Sequence, residues 1–543
     1  MKLLSKRIII PVLAGVLFLS TTAFKNDFFE IAKQIEIFTT LFKELNMNYV
    51  DETNPGDLMD TAIKNMLEDL DPYTRFMNEQ DVEAARINNT GDYTGIGAKV
   101  RTQKDKLVII EPYKDYPADK AGLKAGDEII KVGNISVENY KDDAGNLLQG
   151  TSGSSIEVTY LRQGETKTAT ISRAAVEIKA VPHFSLIDDK TGYIVLSRFN
   201  NKASKETNYA LRDLKAQGAE RIILDLRGNP GGLLSEAINI VNLFVPKGQL
   251  VVTTKSKVKK YNRTYFTKNS PIDTDIPLVV LIDGGSASAS EIVSGSLQDI
   301  DRAVVVGSRS FGKGLVQRPK PLSYGTQLKI TISRYYTPSG RCIQSLDYWN
   351  RNEKGEAVRV KQENYNEFKT KNGRKVFDGG GVFPDLSLNT SKHSEIIKTI
   401  TNNNLVFDYA TNYYYNNPID NVNSFELTDT DFSNFKNYLN NNDFSLKTET
   451  EKKLNKVLEV AQKEELDDDI EKEFEALMKS LNESKVTIID DNKDYLMKLL
   501  TDEIVKQHVY REGLYEYYKI HDEPIKKATQ ILGNPVAYME YLR

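Results

Sequence analysis

The chain has 543 residues, 40% of them apolar and 27% charged, and a formal net charge of −4, enough material for about three or four folded domains. Its basic residues form no long run, which excludes the phosphate-neutralising stripe of a nucleic-acid binder. Cys342 is the single cysteine and His183, His393, His508 and His521 are scattered, so no intrachain disulfide or CxxC zinc pair can form and a histidine-rich metal site is not expected.

At the start, Met1-Lys2 and Lys6-Arg7 precede an almost wholly apolar run from Ile8 to Leu19, followed by Ser20-Thr21-Thr22-Ala23. This charged, apolar, small-residue order is that of a secretory signal, and the run falls short of the roughly 20 residues a spanning helix needs. Residues 1–23 are therefore expected to direct export to the periplasm, with cleavage near Ala23; an uncleaved segment anchored in the inner membrane is the alternative.

From Phe28, the residues Ile31, Ile35, Phe38, Phe42 and Leu45 fall on one stripe of a helix. A second helix carries Ile63, Leu67 and Leu70 and stops at Asp71-Pro72, since proline disfavours helical geometry in the residue before it. The region 24–90 reads as helical, serving packing or dimerisation. Across 91–176 the pattern changes to short strands, Lys106 to Ile110, Glu128 to Val132, Ile156 to Leu161 and Lys167 to Ile171, with a hairpin turn at Gln163-Gly164 and one helix near Asn139 to Leu148.

Within 177–390, strands alternate with helices: Tyr193 to Ser197, a helix over Lys202 to Gln217, Arg221 to Leu226, a helix over Leu233 to Leu243, and Leu278 to Ile282. That order implies a layered α/β core. The remainder, 391–543, is rich in Asn, Tyr and charge; Leu454, Leu458 and Ala461, then Leu466, Ile470, Phe474, Leu477 and Leu481, mark amphipathic helices of a helical appendage.

Two segments carry the chemistry. Asp283-Gly284-Gly285-Ser286-Ala287-Ser288-Ala289-Ser290-Glu291 follows a strand and enters a helix, a setting that exposes a serine hydroxyl and offers helix-start amides to an anion, although serine before a helix is more often a cap. Ser310-Phe311-Gly312-Lys313-Gly314-Leu315-Val316-Gln317 offers a lysine in a glycine-flanked turn between the apolar segments Ala303 to Val306 and Leu328 to Ile332. Burial would lower its pKa from about 10.4 towards neutrality, and a neutral amine can take a serine proton; alone, the motif reads better as a solvated turn lysine.

Together, Ser286 to Glu291, Gln298-Asp299 and Phe311 to Gln317 closely resemble the C-terminal processing peptidases, also called tail-specific proteases. The resemblance implies a dyad of Ser288 and Lys313, chosen over Ser286 and Ser290 by register, with Gln317 orienting the lysine. Asp225-Leu226-Arg227-Gly228-Asn229-Pro230-Gly231-Gly232 looks like the family's glycine turn, which implies an oxyanion hole from the amides of Gly232 and Ala289. Tyr93-Thr94-Gly95-Ile96-Gly97-Ala98 and Ala121 to Ile130 are similar to the family's PDZ module, in which Gly95, Ile96, Gly97 and Ala98 would grip a terminal carboxylate and a strand edge would pair with the peptide. Leu70-Asp71-Pro72-Tyr73-Thr74 and Arg374 to Asp385 extend the likeness to about Phe28 to Leu388, with Tyr73 where the family often has histidine.

The expectation is an α+β multidomain serine endopeptidase with N-terminal helices, a β-rich PDZ-like domain, a layered α/β peptidase core and a helical C-terminal appendage. It takes protein or peptide substrates with accessible C-termini, without metal or organic cofactor, and a homodimer or an adaptor protein is an open partner. The alternatives are a non-catalytic adaptor that binds C-terminal peptides, and an α/β enzyme of acyl-thioester chemistry.

Overall fold

The computed structural model describes residues 28–102, 106–138, 140, 143–353, 355–388, 394–441 and 448–543, without the side chains of 467–469. The expected signal segment 1–23, Asn139 and His393 lie outside the described residues. The chain forms two compact units.

The smaller unit joins the chain up to Asn78 with Arg318–Thr331. Residues 28–48 are helical, and Ile31, Ile35 and Phe38 of the apolar stripe are exposed. The helix Pro55–Glu68 starts where Asn54 accepts from the Gly56 and Asp57 N–H groups and proline takes the first position. It ends before Leu70, earlier than the apolar spacing indicates. The Asp71 carboxylate accepts from Tyr73 N, Thr74 N and the Thr74 hydroxyl, each at 2.9 Å, an alternative to continued helix. The strand Arg75–Met77 then pairs antiparallel with Gln327–Lys329.

In the larger unit, a PDZ-like sheet runs in the order Ala98–Thr102, Leu107–Pro112, Glu128–Val132, Ser155–Arg162, Glu165–Ser172, all antiparallel. The hairpin turn takes positive φ at both Gln163 (50°) and Gly164 (82°), the twist-matching geometry of a two-residue loop. Where a helix was expected up to Leu148, a 3₁₀ turn spans Ala144–Leu148, started by the Asp143 carboxylate on Gly145 N. The strand Ala98–Thr102 is new; its sequence AKVRT is too short and too basic to announce a buried face.

The α/β core is a six-stranded sheet whose chain order is also its spatial order: β1 (His183–Leu186), β2 (Thr191–Val195), β3 (Arg221–Asp225), β4 (Leu278–Ile282), β5 (Val304–Gly307) and β6 (Leu386–Ser387). β1 and β2 are antiparallel and every later pair is parallel. All residues of β2 and β4 are buried, as strands covered on both faces require.

Helices α1 (Ala203–Ala216), α2 (Leu234–Phe244) and α3 (Ala289–Asp299) cover one face, packing Leu211, Ile240 and Val293 against Ile222, Leu224 and Val280. The intervening strand residues Tyr193, Ile223, Val279 and Leu281 point to the other face. There they meet Ile525, Ala528, Ile531 and Tyr538 from the last two helices, α5 (Glu523–Gly533) and α6 (Pro535–Tyr541). The C-terminal helical region is thus the third layer of the core as well as an appendage.

The preceding helix, α4 (Lys493–His521), breaks in its middle: Tyr510 has φ 60° and ψ −176°, and a Cβ on Gly513 would lie 2.4 Å from Val509 Cγ2. At this break the helix meets the PDZ-like domain. Tyr510 donates to Asp119 at 2.6 Å, Arg511 pairs with Glu111, and Phe407 covers Val108 and Ala125.

Candidate active site

Ser288 stands at the N-terminus of α3 with φ 56° and ψ −109°, a conformation outside the ordinary wells for a residue bearing Cβ. The turn that holds it is organised by Asp283, whose Oδ1 accepts from Gly228 N (2.8 Å), Gly285 N (2.9 Å) and Ser286 N (3.1 Å). Burial separates the three serines of the motif. Ser286 and Ser290 are fully buried and donate to the backbone carbonyls of Leu226 and Asn229, each at 2.8 Å, whereas Ser288 is partly open to solvent.

Lys313 is brought beside Ser288 by two clamps that the sequence did not announce. The first is Glu291, fully buried on the first turn of α3. Its Oε2 accepts from Ser288 N at 2.8 Å and Lys313 N at 2.9 Å, while Oε1 accepts from the Ser310 hydroxyl at 2.5 Å and Gly312 N at 2.7 Å. Burial pushes this carboxyl above its ordinary range, and the donors oppose that shift by favouring the ionised form. The second is the Tyr335 hydroxyl, 2.6 Å from the Lys313 carbonyl oxygen and 3.1 Å from that of Ser288.

The glycines around Lys313 allow this approach. A Cβ on Gly312 would fall 2.4 Å from Ser345 Cβ, and one on Gly314 would fall 2.9 Å from Gln344 N. Lys313 itself is half-buried.

The glycine turn after β3 closes the site from the other side. Asn229 ties it down: its carbonyl accepts from Ala287 N (3.0 Å), its Oδ1 from Gly231 N (2.9 Å), and its Nδ2 donates to Leu196 O (2.7 Å). Gly232 forms a bridge with Phe199 in which Phe199 N and Leu233 N are the donors, so the Gly232 N–H lies outside it. Ala289 opens α3, where an N–H has no intrahelical acceptor.

Gly231 lies against the serine turn. A Cβ there would meet Ala287 O at 2.6 Å, Ala289 N at 2.8 Å and Ser288 Cβ at 2.9 Å, and φ is +97°. Gly231→Ala is therefore expected to force the two turns apart and lower kcat on a peptide substrate about 100-fold or more. A variant with parental kcat would show that the turns need not touch.

Known proteins can now be set beside this arrangement. A "Carboxy-terminal-processing protease" of Bartonella bacilliformis is 35% identical over 321 residues, spanning 58% of this chain and 73% of that protein. The chain belongs to the carboxy-terminal-processing protease family. The Peptidase family S41 model matches residues 190–347, a PDZ domain model residues 94–172, and the model "Probable PDZ-protease, C-terminal helical domain" residues 396–532. A "Probable CtpA-like serine protease" of Staphylococcus haemolyticus is 32% identical over 345 residues, 62% of this chain and 68% of that protein. Among solved structures, the photosystem II D1 C-terminal processing protease is 29% identical, covers 64% of this chain and 86% of its own, and has a TM-score of 0.37. The helical-domain match carries the likeness beyond Leu388, where the motifs read from the sequence stop.

As a carboxy-terminal-processing protease, the chain is a serine protease with a PDZ domain. Its PDZ domain holds a cavity of about 210 Å³ lined by Tyr93, Ile96, Ala98, Val100, Tyr113 and Leu148. Burial raises both tyrosine hydroxyls above their ordinary range, so they stay neutral at physiological pH.

Of the four residues assigned to peptide binding, Ile96 and Ala98 are in that lining and the two glycines make room behind it: a Cβ on Gly97 would lie 2.4 Å from Tyr116 Cβ, and one on Gly95 2.9 Å from Tyr93 Cε2. Ile87 and Ile178, outside the residues matched by the PDZ model, also line the groove. Gln317 sits half-buried in the strand Leu315–Pro321. Glu291, Tyr335 and Asn229 hold these turns together and received no role from the sequence; only Glu291, in the third helical position after Ser288, carries a local signal, that of a capping-box acid.

Proposed function

We propose that this carboxy-terminal-processing protease cleaves through a Ser288–Lys313 dyad and takes its substrates by their C-terminal ends. The reading rests on one observation, the pair of clamps that join the backbone of Ser288 to that of Lys313 through Glu291 and Tyr335.

In this mechanism Lys313, uncharged, takes the Ser288 hydroxyl proton as Oγ bonds to the scissile carbonyl carbon. The amide C–N bond then breaks, the leaving amine takes the proton from Lys313, and an acyl-enzyme remains. Water attacks that ester and gives its proton to Lys313, and the proton returns to Ser288 as the acid product leaves. Gln317 orients the lysine, and the N–H groups of Gly232 and Ala289 hold the oxyanion, a contribution of about 3 kcal/mol per donor.

The PDZ groove with Gly95, Ile96, Gly97 and Ala98 would receive the terminal carboxylate and pair with the peptide as an added strand. Residues 1–23 would direct the chain out of the cytoplasm. A non-catalytic adaptor is disfavoured by membership of a protease family.

An unfolded protein substrate offered with a free and with an amidated C-terminus tests the reading. Fragments identified by mass spectrometry should form with both, more slowly when the carboxylate is masked. Equal rates would remove C-terminal capture, and fragments formed equally by Ser288→Ala would remove the dyad.

A further inference from the structure

The turn that carries Gly231 and Gly232 is held from a part of the chain far outside the peptidase core. Arg227, at the start of this turn, pairs with Asp225 through Nε at 3.0 Å and Nη2 at 2.7 Å. Its remaining nitrogen, Nη1, is taken by both oxygens of Asp522, at 2.8 and 3.0 Å. The Asp522 side chain is 1% exposed. It comes from the junction of α4 and α5, where it also caps α5 by accepting from Ile525 N at 3.1 Å.

Asp225 is further fixed by the Tyr193 hydroxyl at 2.8 Å, and Lys498 stands 3.8 Å from Asp522. The Asp225 carboxylate holds one edge of the guanidinium and leaves Nη1 to be paired from elsewhere. A second carboxylate on its other edge sets the plane of the group and, through the backbone, the direction in which the chain leaves it. The next residue, Gly228, donates to Asp283 Oδ1, the same oxygen that organises the turn of Ser286.

We infer that Asp522 is a positioning residue of the active site: acting through Arg227, it fixes the glycine turn so that the Gly232 N–H meets the oxyanion. The C-terminal helical domain then supplies a working part of the catalytic apparatus, and its last helices do more than cover the sheet. The inference rests on the oxyanion reading given above.

Asp522→Ser in the full chain separates this role from helix capping, because a serine still caps Ile525 N but cannot reach Arg227. The expected result is a folded variant with kcat on a short peptide reduced about 10- to 100-fold, KM held within about twofold and a lowered melting temperature. Asp522→Asn, which keeps the cap and one acceptor oxygen for Arg227, should fall between the parent and Asp522→Ser. Folded Asp522→Ser with parental kcat would overturn the inference, as would loss of folding in both variants, which makes Asp522 a residue of the fold alone. Ser288→Ala in the same assay keeps the two failures apart: if it cleaves, the dyad reading fails; if it is inactive while Asp522→Ser is undiminished, only the role of Asp522 fails.

Discussion

Alanine at Ser288 or at Lys313 is expected to abolish peptide cleavage, with kcat reduced on the order of 10⁴-fold or more in each, while binding of a C-terminal peptide in the PDZ groove is unchanged. The two losses should not add in the double variant, since a nucleophile and its base act as one unit. The structural basis is the proximity enforced at the backbone, where Ser288 N and Lys313 N share one carboxylate oxygen. The parent should also lose activity as the pH falls, because a protonated amine cannot accept the hydroxyl proton. A pH–rate profile flat through the acid range, or a Lys313→Ala variant that cleaves at the parental rate, would refute the assignment of the base.

Glu291→Gln is expected to be nearly as damaging, although Glu291 touches no substrate in the proposed mechanism. Each of its carboxylate oxygens faces two donors, so either orientation of a glutamine amide points an NH₂ at a pair of N–H or O–H groups. Two buried donors then lose their acceptor, at about 1–3 kcal/mol apiece, and the site separates where the nucleophile joins the base. The measurement is kcat together with thermal unfolding. A fall in kcat of at least about 100-fold with lowered stability is expected. A stable Glu291→Gln with unchanged kcat would show that Tyr335 alone holds the two loops together.

The sequence discloses these elements unevenly, and the reasons are physical. Leu278–Ile282 is a run of apolar residues buried on both faces, so its bounds follow from hydrophobicity alone, and Glu128–Val132 is a short β-prone run set between turn residues. The hairpin at Gln163-Gly164 is legible because few residue pairs accept positive φ twice. By contrast, the early end of the helix Pro55–Glu68 depends on a side chain that competes for backbone N–H groups.

For the site, Ser288 and Lys313 stand in short motifs, and those motifs carry the resemblance. Glu291 and Asp522 gain their roles only when residues distant in the chain converge on them, 21 positions away for Gly312 and 295 for Arg227, and no local pattern records such partners. Periodicity likewise shows that the helix of 28–48 has an apolar stripe, yet it leaves open what covers Ile31 and Ile35, which are exposed.

That α5 and α6 lie on the second face of the peptidase sheet sets an order on folding. During synthesis Tyr193, Ile223 and Val279 emerge hundreds of residues ahead of Ile525 and Tyr538, so the growing chain carries a half-covered sheet until α5 and α6 have been made. Asp522 follows equally late, so Arg227 lacks that carboxylate partner until then. A chain truncated before Glu523 would therefore leave Tyr193, Ile223 and Val279 without their apolar cover.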